Sequence, residues 1–181
     1  MNLKLKAGLA CAAFAAATSV AVTAHAQAKE QFFPVLSYRT GPYAPNGIPF
    51  ANGYVDYLKL VNARGGIKSM GGAKLKLVVF DAGDSVEKAK NAAQRMVAES
   101  PNLGAATGAY LSSFTLAVTE VTERAQLPVV TFSYSDLITA RGFKYVFQTS
   151  ATGDQQAEGS LPALVEMAKA ATGKAPKTVG I

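Results

Sequence analysis

The stretch Leu103-Gly-Ala-Ala-Thr-Gly-Ala-Tyr-Leu-Ser-Ser-Phe-Thr115 places hydroxyls where a buried strand runs through a glycine-punctuated turn into a helix. A helix start offers unbonded backbone N–H groups and a positive dipole end, which suits an anion. Ser112 and Ser113 sit at that start. The same chemistry recurs at two other strand ends, Tyr38 to Gly47 and Ser133 to Asp136. Together they hold tyrosines, serines and little charge, a composition suited to binding a small polar or zwitterionic molecule. Arg39, the one cation among them, is of a type that grips a carboxylate bidentately. A second group, Ser85-Val-Glu-Lys88, matches the S-x-x-K spacing of serine acyl-enzymes. Its partners S-D-N and K-T-G are missing, so the residues also read as a helix cap with an Asp84–Lys88 pair four residues apart.

Other chemistries are excluded by composition. Lys4 and Lys6 precede an apolar run from Ala7 to Val22, followed by Ala24-His25-Ala26, which reads as a secretory signal peptide over residues 1–26. Cleavage after Ala28 is the close alternative. Cleavage removes Cys11 and His25, the chain's only cysteine and histidine. Thiolate nucleophiles, histidine triads and Cys or His zinc sites go with them, and no metal or cofactor is expected. The formal charge of +6 falls to +4 once Lys4 and Lys6 are lost. The remaining charges are scattered singly, so neither nucleic acid nor an anionic membrane is an expected partner. No G-x-G-x-x-G follows a strand, and Gly173-Lys174 lacks the earlier glycine of a phosphate loop.

The elements that position these residues alternate. Strands are expected at Phe32–Ser37, Lys74–Phe80, Leu103–Ala109, Leu127–Phe132 and Tyr145–Phe147, with Pro34 near a strand start or on an edge. Between them run helices: one from Ile48 with Ala51, Tyr54, Val55, Leu58 and Val61 on one face, one with Val86, Ala89, Ala93, Met96 and Val97, and one over Phe114–Glu123. A further helix spans about Ala157 to Ala171, and Thr178–Ile181 opens a last strand. The pattern is α/β: a doubly wound, mostly parallel sheet flanked by helices.

Four strings in order carry a more specific likeness: Thr40-Gly-Pro-Tyr-Ala-Pro-Asn-Gly47, Asn62-Ala-Arg-Gly-Gly-Ile67, Lys74-Leu-Lys-Leu-Val-Val-Phe-Asp81 and Thr139-Ala-Arg-Gly142. Behind a signal peptide, this series resembles the type I periplasmic binding proteins of branched-chain amino acid ABC transporters, over residues 31–181. The resemblance implies two lobes that close on a ligand by a hinge. It assigns residues 27–148 to an incomplete first lobe, 149–156 to the crossing and 157–181 to the start of the second, an N-terminal portion of a longer protein.

Position by position, the resemblance puts Ser112 and Ser135 as hydroxyls on the ligand's α-carboxylate, Ser133 there through its backbone, and Asn46 in the cleft lining. Tyr110 joins Phe132, Tyr134 and Phe114 in a wall more aromatic than an aliphatic amino acid needs. The implied function is a periplasmic receptor that hands an amino acid or aromatic acid to an ABC permease, without catalysis. The alternatives are a ligand-sensing domain of the same fold in a signalling protein and a serine hydrolase using Ser85 and Lys88.

Overall fold

The computed structural model describes residues 30–100, 103–178 and 180. The expected signal peptide, and Val179 and Ile181 of the strand expected at Thr178–Ile181, lie outside the described residues. Five strands form one all-parallel sheet in the order β2-β1-β3-β4-β5: β1 Glu30–Ser37, β2 Lys74–Asp81, β3 Ala106–Gly108, β4 Val129–Thr131 and β5 Val146–Gln148. The helices are α1 Ala44–Ala63, α2 Val86–Glu99, α3 Ser112–Arg124, α4 Leu137–Ala140 and α5 Gly153–Thr172, with a 3-10 turn at Lys68–Met70.

Alternation along β1 sends successive side chains to opposite faces. Phe33 meets Tyr54 of α1, with ring centroids 6.3 Å apart. Leu36 joins Phe80, Ala106 and Val129 in a core closed by Ala89, Ala92, Ala93 and Met96 of α2 and by Phe114 and Val118 of α3. Val86, expected on the α2 stripe, is exposed instead. Small alanines on α2 let it lie close to the sheet, and the larger Met96 fills the remaining space.

Three details differ from the sequence expectation. Helix α1 begins at Ala44 rather than Ile48, because Pro45 occupies its first turn, where a missing N–H costs nothing. β3 and β4 shrink to three residues each, where the ladder is continuous, and β5 keeps three residues but starts one later, at Val146. Pro34 lies in a central strand rather than at an edge. The Leu36 carbonyl accepts from Ala109 N–H on the β3 side, so Pro34, two residues earlier, faces the same way. There its missing N–H falls between the isolated Phe32–Leu103 bridge and the ladder that begins at Val35–Thr107.

The strand order puts β2 on one side of β1 and β3 on the other. The carboxyl ends of β1 and β3 therefore flank the switch point, where open α/β sheets bind their ligands. α5 stands apart. None of its residues is buried, and Gly153 N–H to the Tyr134 carbonyl at 2.8 Å ties its first residue to the loop after β4.

Candidate functional site

Beyond β3 the chain turns sharply. Gly108 has φ +114°, and a β-carbon there would lie 2.0 Å from the Leu36 carbonyl oxygen, so only glycine fits. Ala109 follows in the left-handed region at φ +46°, an uncommon conformation for alanine. It is held by Ala109 N–H to the Leu36 carbonyl at 2.8 Å and by the Thr115 hydroxyl on its own carbonyl. Two residues on, Leu111 N–H donates to the Tyr38 hydroxyl at 3.1 Å. Tyr38 is fully buried, and that burial pushes its phenol well above the ordinary range, so it stays neutral.

Helix α3 then starts with Leu111 as its cap residue and no side-chain cap. Ser112 does something other than capping its own helix. Its hydroxyl oxygen accepts N–H bonds from Tyr134 at 3.3 Å and Ser135 at 3.2 Å, in the loop after β4. Two accepted bonds use both lone pairs, which leaves the hydroxyl proton available to a ligand. The backbone N–H groups of Ser112, Ser113 and Phe114, and the side-chain hydroxyls of Ser135 and Tyr110, make no hydrogen bond to the described residues. Burial raises the Tyr110 phenol, which keeps it a neutral donor. These donors belong to the start of α3, the residue two before it and the loop that Ser112 ties to it, and none is bonded to a carboxylate of the described residues.

Ser133 occupies a different position. It is fully buried, its hydroxyl donates to the Tyr110 carbonyl at 2.7 Å, and its N–H donates to Thr131 Oγ1 at 3.1 Å. Its carbonyl accepts from Gln148 Nε2 at 2.6 Å and Ser150 Oγ at 2.8 Å. The structure thus sets Ser133 under the loop, with both backbone groups engaged. Arg39 and Asn46 are exposed at the end of β1 and the first turn of α1. Arg39 N–H donates to Asp81 Oδ1 at 2.9 Å, drawing that backbone toward the β2 side.

The wall beside Tyr110 is more aromatic than the sequence reading named. Phe50 packs at 4.8 Å from Tyr110, 6.2 Å from Phe132 and 5.2 Å from Tyr54, and Tyr38 stands edge-on to Tyr110 at 5.0 Å and to Phe114 at 5.3 Å. Phe114 is core rather than wall. Phe50, Gly53, Tyr54, Tyr57 and Phe132 line an open apolar depression of about 350 Å³ contiguous with Tyr110. Phe50 was legible only as the start of a helix; its meeting with two strand ends depends on packing across elements.

The sequence model of the family described as Periplasmic binding protein matches residues 30–175. The chain belongs to the periplasmic binding protein family. Its likeness to a Leu/Ile/Val-binding protein homolog of Brucella abortus is 32% identity over 124 residues, 67% of this chain and 29% of the relative. Among solved structures, an ABC transporter substrate-binding protein from Desulfitobacterium hafniense in complex with Leu superposes with TM-score 0.65 at 25% identity, over 76% of this chain and 39% of that one. A solute-binding protein of an ABC transporter from R. palustris in complex with 4-hydroxybenzoate gives TM-score 0.62 at 24% identity, over 79% and 36%. The chain spans less than half the length of each of these proteins. The expected doubly wound parallel fold is the one these neighbours share.

Proposed function

We propose that this chain carries the incomplete first lobe and the start of the second lobe of an extracytoplasmic receptor for an ABC importer, which binds a small carboxylate and delivers it to a membrane permease. The observation that carries this reading is the set of unaccepted donors at the switch point. The Ser112 hydroxyl, the first amides of α3 and the Ser135 hydroxyl take the carboxylate, while Tyr110, Asn46 and Arg39 border it. A carboxylate placed there gains charge-assisted hydrogen bonds and the positive end of α3 together. Ser133 acts from below, fixing the loop that carries Ser135. No step of bond cleavage is assigned.

For the rest of the ligand, the aromatic wall favours an amino acid with a large side chain or an aromatic acid. Rings packed edge-on beside a polar clamp accept a flat apolar body well. Residues 149–156 make the crossing and 157–181 open the second lobe. The standing-off of α5, with Leu161, Leu164 and Met167 exposed, supports that division.

A thermal-shift screen of the full-length protein against leucine, isoleucine, valine, phenylalanine and 4-hydroxybenzoate tests the reading. A binder present at a hundred times its dissociation constant adds about 2.7 kcal/mol of stability. Stabilisation by carboxylates and not by their amides is the expected result, and indifference to every carboxylate overturns it.

A further inference from the structure

Beneath the donor site lies a buried cluster of three hydroxyls that bonds to three consecutive carbonyls. Thr115 Oγ1, on the first turn of α3, reaches the carbonyl of Ala109 and that of Leu111 at 3.2 Å. It lies 2.6 Å from Ser133 Oγ, a hydrogen bond in which either hydroxyl can be the donor, and Ser133 Oγ in turn reaches the intervening carbonyl of Tyr110 at 2.7 Å. Thr131 Oγ1 donates to Ser133 Oγ at 3.0 Å and accepts from Ser133 N–H at 3.1 Å. All three residues are essentially inaccessible to water.

The left-handed turn at Ala109 explains why this cluster is needed. It takes the carbonyls of residues 109–111 out of the β3 ladder, and a buried carbonyl without a donor costs about 1 to 3 kcal/mol. The Leu111 carbonyl takes the Thr115 N–H at 2.9 Å, and the hydroxyls of Thr115 and Ser133 supply the donors for the carbonyls of Ala109 and Tyr110. The same groups therefore set the height of one loop against the other, since Ser133 belongs to the chain that presents Tyr134 and Ser135 to Ser112.

We infer that Thr115 is a positioning residue for ligand binding: through Ser133 it locks the β3–α3 turn to the β4 loop in the arrangement that aims Ser112 and Ser135, without touching the ligand. The inference rests on the proposed placement of the ligand at Ser112. Thr122 supplies an internal contrast, being a buried threonine of the same helix whose hydroxyl has no partner among the described residues.

The test uses the full-length protein in four forms: wild type, Thr115→Val, Thr115→Ser and Thr122→Val. The first readout needs no ligand: amide hydrogen exchange at Leu111, Tyr134 and Ser135. Thr115→Val accelerates exchange about tenfold in both loops, equivalent to one lost hydrogen bond, while Thr115→Ser and Thr122→Val leave it at the wild-type rate. Calorimetry with leucine and 4-hydroxybenzoate as probes gives about tenfold weaker binding for Thr115→Val, restored in Thr115→Ser. Should Thr115→Val not fold, Ser133→Ala opens the same cluster with a smaller change and is expected to act alike. Unchanged exchange at Tyr134 and Ser135, or an equal rise in Thr115→Ser, overturns the inference. If neither probe binds the wild type, the proposed function is what fails, and the exchange experiment still decides the role of Thr115.

Discussion

The ammonium of Lys88 lies 2.7 Å from the carboxylate of Asp84, while Ser85 spends its hydroxyl on Lys88 N–H at 3.2 Å. A lysine poised to deprotonate Ser85 would need the opposite arrangement. The Asp84 carboxylate also raises the Lys88 pKa, the wrong direction for a general base. The S-x-x-K spacing is here a helix N-cap beside a surface ion pair.

Ser85→Ala is therefore expected to cost about 1 kcal/mol through α2 and to change neither ligand affinity nor any ester hydrolysis above the solvent rate. Urea denaturation gives the first quantity and a chromogenic ester assay the last. Hydrolysis that disappears with the substitution would restore the enzyme reading.

Ser112→Ala should weaken binding of a carboxylate about ten- to a hundredfold, roughly 1.5 to 3 kcal/mol. The loss in folding stability stays near 1 kcal/mol, because water can reach the N–H groups of exposed Tyr134 and half-buried Ser135 that it leaves behind. Calorimetry and thermal melting of the same sample separate the two. A large loss of stability with unchanged affinity would make Ser112 a loop tie and nothing more.

Asp81 governs part of the acid response. Burial pushes its carboxyl up, but N–H donors from Arg39 and Gly83 and the Thr40 hydroxyl outweigh this and hold it below its ordinary value of 3.8. A carboxyl depressed in the folded state adds stability that is complete above the ordinary value and is lost as pH falls through it toward the folded one. Asp81→Asn should thus cost about 1 kcal/mol at neutral pH and flatten the decline between about pH 5 and pH 2. Equal acid sensitivity in both proteins, followed by denaturant titration at each pH, would remove Asp81 from that role.

Gly108→Ala should cost roughly 3 kcal/mol or more, since the added carbon meets a backbone carbonyl and the φ is foreign to alanine. Circular dichroism melting measures it. A neutral substitution would mean that the turn into Tyr110 is more pliable than its contacts imply.

Much of this was legible in the strings that carried the family likeness, and the structure gives each a mechanical reason. Asn62 pairs its amide with both backbone groups of Leu75, at 2.7 and 2.8 Å, extending the sheet edge with a side chain. Asp81 gathers the loop after β1. Arg141 donates to the Leu116 carbonyl at 2.9 Å and to Thr119 Oγ1 at 2.5 Å, and lies over the Phe143 ring, lacing the segment before β5 to α3. Alternation of periods was enough to place the strands and most helices. The four-residue α4 was invisible, because one turn carries no periodic signal. The depth of Ser133 was invisible too. The family likeness puts Ser133 on the ligand through its backbone, and no pattern in the sequence tells that its N–H meets Thr131 Oγ1 and its carbonyl meets Gln148 and Ser150.

The contact of Ser112 with main-chain N–H groups has a consequence for how such receptors diversify. Every residue except proline brings the same donor to positions 134 and 135, so exchange of Tyr134 for another side chain leaves that junction intact while redrawing the rim above it. If the proposed carboxylate site is right, a descendant lineage could trade one solute for another in single steps without disturbing the Ser112 junction. Proline at either position is the one replacement that selection should purge whatever the nutrient.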